Sequence, residues 1–151
     1  MATGFLFTRC PSCQAKNRLP VARAAQVGRC GKCGGELPAN QFFGEGVVEV
    51  TEVKFDSVTR LSPQPVLVDF SASWCAPCHQ LAPVLEQYAG EQIGRLLVVK
   101  VDTEQAPTTA TRFAVQSVPT LVLLRSGLEV GRISGALGLP ALRQWVARYL
   151  D

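Results

Sequence analysis

Charge is sparse in this chain of 151 residues: 18% of them are charged and the formal net charge is +3. That is too little to lead one to expect a nucleic-acid partner. Histidine is nearly absent. His79 is the only one, so a metal site could not draw on imidazole pairs. No stretch approaches the roughly eighteen apolar residues that a membrane helix needs. Met1 to Arg9 shows neither a basic leading region nor an apolar run long enough for a secretory signal. These absences lead us to expect a cytosolic protein with reduced thiols and no membrane association. What is present, 47% hydrophobic residues, is ordinary for a globular fold. The length suits one domain with a small appendage.

All six cysteines fall into Cys-x-x-Cys pairs: Cys10/Cys13, Cys30/Cys33 and Cys75/Cys78. The first two pairs lie in a basic region. Residues 1–46 carry a formal charge of +4 and residues 47–151 carry −1. Two knuckles, Arg9-Cys-Pro-Ser-Cys13 and Arg29-Cys-Gly-Lys-Cys33, form the only internal repeat. Two pairs at that separation read as a four-thiolate metal site. Zinc is the first choice, one ion held by Cys10, Cys13, Cys30 and Cys33. Iron on the same thiolates, or no metal at all, are the alternatives. A bound Zn²⁺ with four thiolates adds −2, which the surrounding cations would offset. A secreted six-cysteine disulfide framework fits less well, because the C-terminal part is long enough for its own core.

The third pair follows an apolar strand, Val66–Phe70, and opens a helix expected from about Cys75 to Gln92. Residues 14–29 read as a loop and Pro38–Gly46 as a linker, which places a boundary between residues 1–46 and 47–151. Beyond it we expect Val47–Val50 as a strand and a helix capped by Thr51 that buries Val53, Val58 and Leu61. A strand Leu96–Val101, a helix Thr108–Phe113, and a hairpin of Thr120–Leu124 with Glu129–Ser134 turning at Ser126-Gly127 come next, then a last helix. The order is β α β α β α β β α, an α/β fold with a mixed central sheet flanked by helices.

At the helix start, unpaired amides and the positive helix end favour a Cys75 thiolate. Cys78, one turn later, can resolve a mixed disulfide formed on Cys75. Pro77 is tolerated in a first turn. Asp69 interrupts the apolar strand. If it is buried, desolvation raises its pKa toward neutrality and suits it to proton exchange with Cys78, with Lys100 moderating the shift. If it sits at the sheet edge facing water, it has no such role. Spacing does not decide whether Val118-Pro119 is cis.

Trp74-Cys-Ala-Pro-Cys78, with Val-Asp-Phe before it and Lys100-Val-Asp, Val118-Pro-Thr and Gly135-Ala after it, resembles thioredoxin over about residues 47–151. The front module resembles the N-terminal zinc domain of the second bacterial type of thioredoxin. The resemblance implies a thioredoxin fold behind a small zinc-ribbon-like module, and a cytosolic protein-disulfide reductase acting as a monomer. It implies Cys75 as attacking thiol, Cys78 as resolving thiol, and Asp69 with Lys100 as the buried acid–base pair. It implies a cis Val118-Pro119 bond facing the dithiol. A substrate groove would be bordered by Trp74, Ala76, Pro77, Val118, Pro119, Gly135 and Ala136. Its partners would be disulfide-containing proteins and an NADPH-dependent thioredoxin reductase, with neither flavin nor nicotinamide bound to this chain.

The chain departs from the family where Ala76 replaces the usual Gly, His79 the usual Lys, and Ser71 an aromatic residue that packs beside the site. A charged His79 would favour a thiolate and a more oxidising couple; an exposed surface histidine would do neither. Two other functions remain open. One is an oxidase or isomerase, which needs a less reducing couple. The other is a zinc module that binds a protein or nucleic-acid partner and uses the second domain as a scaffold.

Overall fold

A computed structural model describes residues 4–39 and 41–150. The front module is built from β1 (Phe5–Arg9), β2 (Lys16–Leu19), a 3-10 turn (Val21–Arg23), β3 (Gly28–Arg29), β4 (Glu36–Leu37) and β5 (Phe43–Glu45). Then come β6 (Val47–Glu49), α1 (Phe55–Leu61), β7 (Val66–Ser71), α2 (Ala76–Glu91), β8 (Leu97–Asp102), α3 (Pro107–Arg112), β9 (Thr120–Arg125), β10 (Leu128–Ser134) and α4 (Leu139–Leu150). From residue 47 onward the order matches that expected from the sequence.

The main sheet has the strand order β10-β9-β7-β8-β6. β7 runs parallel to β8 and antiparallel to β9, and β8 runs parallel to β6. Every residue of β7 is buried. A strand in that central place must be apolar on both faces, which explains the unbroken Val66-Leu67-Val68 run. Its odd and even residues enter different cores. Val66, Val68 and Phe70 pack on the side of Phe55 and Val58 from α1, whereas Leu67 packs on the side of Leu81 and Leu85 from α2. Asp69 and Ser71 share the Leu67 face because side chains alternate along a strand. β9 and β10 turn back at Ser126 and Gly127, which have φ of 54° and 80°. That is the paired positive-φ geometry of a tight hairpin.

The front module differs from a loop and a linker. β2 and β5 flank β1 in a three-stranded antiparallel sheet, so residues within 14–29 and 38–46 are ordered strand. Leu6 and Phe42 are fully buried, and both join the core that holds Val48, Val50 and Leu97 of the main sheet. Gly44 lets β5 come close, since a Cβ there would run into the Leu97 side chain. The basic side chains are largely engaged nearby. Lys16 pairs with Glu45, and Arg18 lies 3.9 Å from the Phe5 ring centre. Arg9 and Arg29 donate to the carbonyls of Gln14 and Gly34.

The helix expected from Thr51 begins later, at Phe55, and Val53 is 87% exposed. Glu52 supplies the reason. Its carboxylate accepts a hydrogen bond from the Thr109 amide, 2.8 Å away in the first turn of α3, so residues 51–54 form a turn that reaches across to α3. Among the described residues no helix is long and apolar enough to cross a membrane.

Candidate active site and metal centre

The two knuckles fold alike. Cys10 donates its amide to the Ala15 carbonyl and accepts from the Gln14 amide; Cys30 does the same with Gly35 and Gly34. Gln14 and Gly34, each just after the second cysteine, have φ of 65° and 75°. The sequence repeat is therefore a structural repeat, each copy turning through one left-handed residue. The four sulfurs of Cys10, Cys13, Cys30 and Cys33 lie within 4.8 Å of one another. Cys10 and Cys33 sulfurs are 3.5 Å apart, those of Cys13 and Cys30 3.7 Å. A tetrahedron with metal–sulfur bonds of about 2.3 Å has edges of about 3.8 Å, so the set fits a zinc-sized ion. Amides of Lys32 and Gly35 point at the Cys30 and Cys33 sulfurs. The thiol of Cys30 is drawn down to about 6, first by the Cys33 amide and then by the Asn17 side chain. Asn17 donates to the Cys30 sulfur and accepts from the Gly31 amide, 2.9 Å away. The sequence reading missed Asn17. Its position on β2 opposite Thr8 became visible only with the strand pairing.

The third pair sits where β7 gives way to α2. Cys75 is the N-cap of α2, and Pro77 occupies the first turn. Cys75 and Cys78 are joined as a disulfide with Cα atoms 5.2 Å apart. The Cys75 sulfur accepts the Cys78 amide at 3.2 Å and lies 3.6 Å from the Val118 carbonyl oxygen. The Val118-Pro119 bond is cis, and the Pro119 carbonyl accepts the Gly135 amide. Both sulfur-bearing residues are buried beside Ala72 and Val118, while Trp74 next to them is 71% exposed. Ala76, Pro77 and Ala136 are exposed, and Val118 and Gly135 are half-buried.

Asp69 is 1% exposed, and the Oδ1 atom of its carboxyl has no hydrogen-bond partner. This burial rules out the sheet-edge alternative. Loss of hydration pushes its pKa up to about 7, against the opposing pull of the Lys100 charge. Lys100 stands beside it in register on β8. His79 is exposed, and its Nε2–H donates to the Ser73 carbonyl at 2.7 Å, which ties the start of α2 to the loop before Cys75. Ser71 is buried, and its carbonyl accepts the Thr103 amide.

A family model described as Thioredoxin matches residues 46–148, and one described as Thioredoxin 2, N-terminal, matches residues 9–35. Thioredoxin C-3 of Corynebacterium nephridii is 40% identical over 142 residues, 94% of each chain. The bifunctional thioredoxin reductase/thioredoxin of Mycobacterium leprae is 47% identical over 95 residues, 63% of this chain and 21% of that one. A mutant thioredoxin from Halobacterium salinarum NRC-1 superposes with a TM-score of 0.65 at 32% identity, covering 71% of this chain and 93% of that one.

The Asp69 environment sets a pH dependence. Between the ordinary 3.8 and about 7 the folded carboxyl binds more protons than the unfolded one, so stability falls as pH rises through that window. The interval corresponds to at most about 4 kcal/mol. Asp69→Asn removes this loss. Urea unfolding should therefore show the variant gaining on the parent by up to about 4 kcal/mol more at pH 8 than at pH 4. An equal difference at both pH values would place a charged, solvated carboxylate at residue 69.

Proposed function

We propose that this chain, which belongs to the thioredoxin family of thiol–disulfide oxidoreductases, works in the reducing direction on protein disulfides. The observation that carries the reading is the Cys75–Cys78 pair capping α2, with a buried carboxyl on the strand behind it.

The reduced Cys75 sulfur is stabilised as thiolate by the helix N-terminus and the Cys78 amide. It attacks one sulfur of a substrate disulfide. That S–S bond breaks, and the departing sulfur leaves as a thiolate and takes a proton. The substrate stays bound to Cys75 through a mixed disulfide. Cys78 then gives its thiol proton to the Asp69 carboxylate, and its sulfur attacks that of Cys75. The second substrate thiolate leaves, and the chain is left as the disulfide of the present structure. Two electrons have passed from the dithiol to the substrate. Lys100 limits how far the Asp69 pKa rises.

Trp74, Ala76, Pro77, Val118, Pro119, Gly135 and Ala136 border the groove in which an extended substrate segment would lie, with the Val118 backbone as a partial strand partner. Electrons return from an NADPH-dependent thioredoxin reductase. The fusion of the two activities in the Mycobacterium leprae relative supports that pairing. Residues 1–46 are a zinc-binding module, and residues 47–151 the redox domain. Cys10, Cys13, Cys30 and Cys33 would hold one zinc ion, in a closed four-sulfur shell that makes it structural. Oxidation of those thiolates would loosen the module, a redox-responsive role for it. The protein acts in the cytosol as a monomer.

The reduction potential of the Cys75/Cys78 couple, measured against a glutathione or dithiothreitol buffer, tests the direction. A value near about −270 mV, that of thioredoxin itself, is expected; one near about −180 mV would favour disulfide formation or shuffling. Metal analysis of the purified chain should give one zinc per chain. Four titratable front-module thiols without metal would remove the zinc assignment.

A further inference from the structure

Lys100 occupies the middle of a row that crosses three strands of the main sheet. In register it has Asp69 of β7 on one side and Glu49 of β6 on the other. Residues in register on parallel neighbours project to the same face, so Lys100 stands between Asp69 and Glu49 with its backbone about one strand spacing, roughly 5 Å, from each. The two carboxyl groups differ in surroundings. Asp69 is buried with an unpartnered oxygen, whereas Glu49 is exposed on the edge strand. Lys100 is half-buried, and its ammonium makes no ion pair within 4.0 Å among the described residues. A cleft of about 140 Å³ opens over this row, lined by Glu49, Lys100, Asp102, Ser71, Cys78 and His79. The cleft gives the ammonium room on its Glu49 side.

We propose that Glu49 is a positioning residue of the exchange reaction: it draws the Lys100 ammonium toward the open cleft and away from the Asp69 carboxyl. This rests on Asp69 being the proton acceptor of Cys78. A lysine free to approach Asp69 would make that carboxylate a weaker base. Held toward the edge, it leaves Asp69 with a pKa near neutrality, where a general base is most effective. The other charged or titratable groups facing the row are Cys78 and His79 from α2, Asp102 from β8, and Glu52 from the turn before α1, which lines the adjoining cleft with Lys100. Glu86 of α2 lies further along, accepting the Val47 amide.

The test is the pH profile of single-turnover reduction of a self-quenched fluorescent glutathione disulfide by the full chain. Glu49→Gln should move the acid-limb midpoint down by more than about one pH unit, which is the direct effect of a unit charge about two strand spacings away at an effective dielectric of about 20. The plateau rate should fall with it, as the base weakens. In a Lys100→Met background the same substitution should leave only that direct part. An unshifted midpoint, or a shift equally large without Lys100, would overturn the proposal. Asp69→Asn separates this from failure of the underlying reading. If it removes the limb while Glu49→Gln leaves it in place, only the Glu49 role falls. If Asp69→Asn leaves the limb unchanged, Asp69 is not the acceptor and both fall.

Discussion

A carboxyl group enclosed in the central strand of an apolar sheet is costly when charged, and the redox domain is arranged around that cost. β7 supplies apolar side chains to both faces except at Asp69, which shares a face with Leu67 and Ser71. An isolated buried carboxylate would cost several kcal/mol, so the group meets the constraint by holding its proton to about pH 7. The helix packed on that face begins at the dithiol. The same strand that buries the acid therefore ends in the loop that places Cys75 at a helix N-terminus. Fold and chemistry meet within ten residues of chain.

The front module meets a different constraint. Its own apolar residues are few, and Cys10, Cys30 and Leu37 form only a small cluster around the sulfurs. A bound ion would supply much of what such a core lacks. The module is not left hanging on a tether. Leu6 and Phe42 continue the larger domain's core across the join, and the Gly4 amide bonds to the Val47 carbonyl. Burial shared in this way couples the metal knuckles to the sheet edge at β6.

Much of this was legible in the sequence because the decisive signals are local. The two knuckles announce themselves by spacing, β7 by its apolar run, and the hairpin by Ser126-Gly127. Asp69 could be singled out because a charge inside such a run has few explanations, though only the sheet order decided between burial and the edge. The illegible parts depend on pairing between distant segments. β2 and β5 carry cations, aromatics and glycines that read as loop and linker. They become strands only against β1, and Gly44 serves close approach to Leu97 rather than flexibility. Val53 sits at helical spacing yet faces water, because Glu52 is drawn to the Thr109 amide. Asn17 and Glu49 gained meaning from strand register, which no single segment encodes.

Residue 69 holds a protonatable carboxyl near neutrality behind the dithiol. Carbon-13 NMR of the aspartate carboxyl carbons, followed across pH in the oxidised protein and assigned with the Asp69→Asn variant, reads that group directly. A midpoint of about 7 is expected for Asp69. A midpoint near the ordinary 3.8 would contradict it and remove the buried acid from the chemistry.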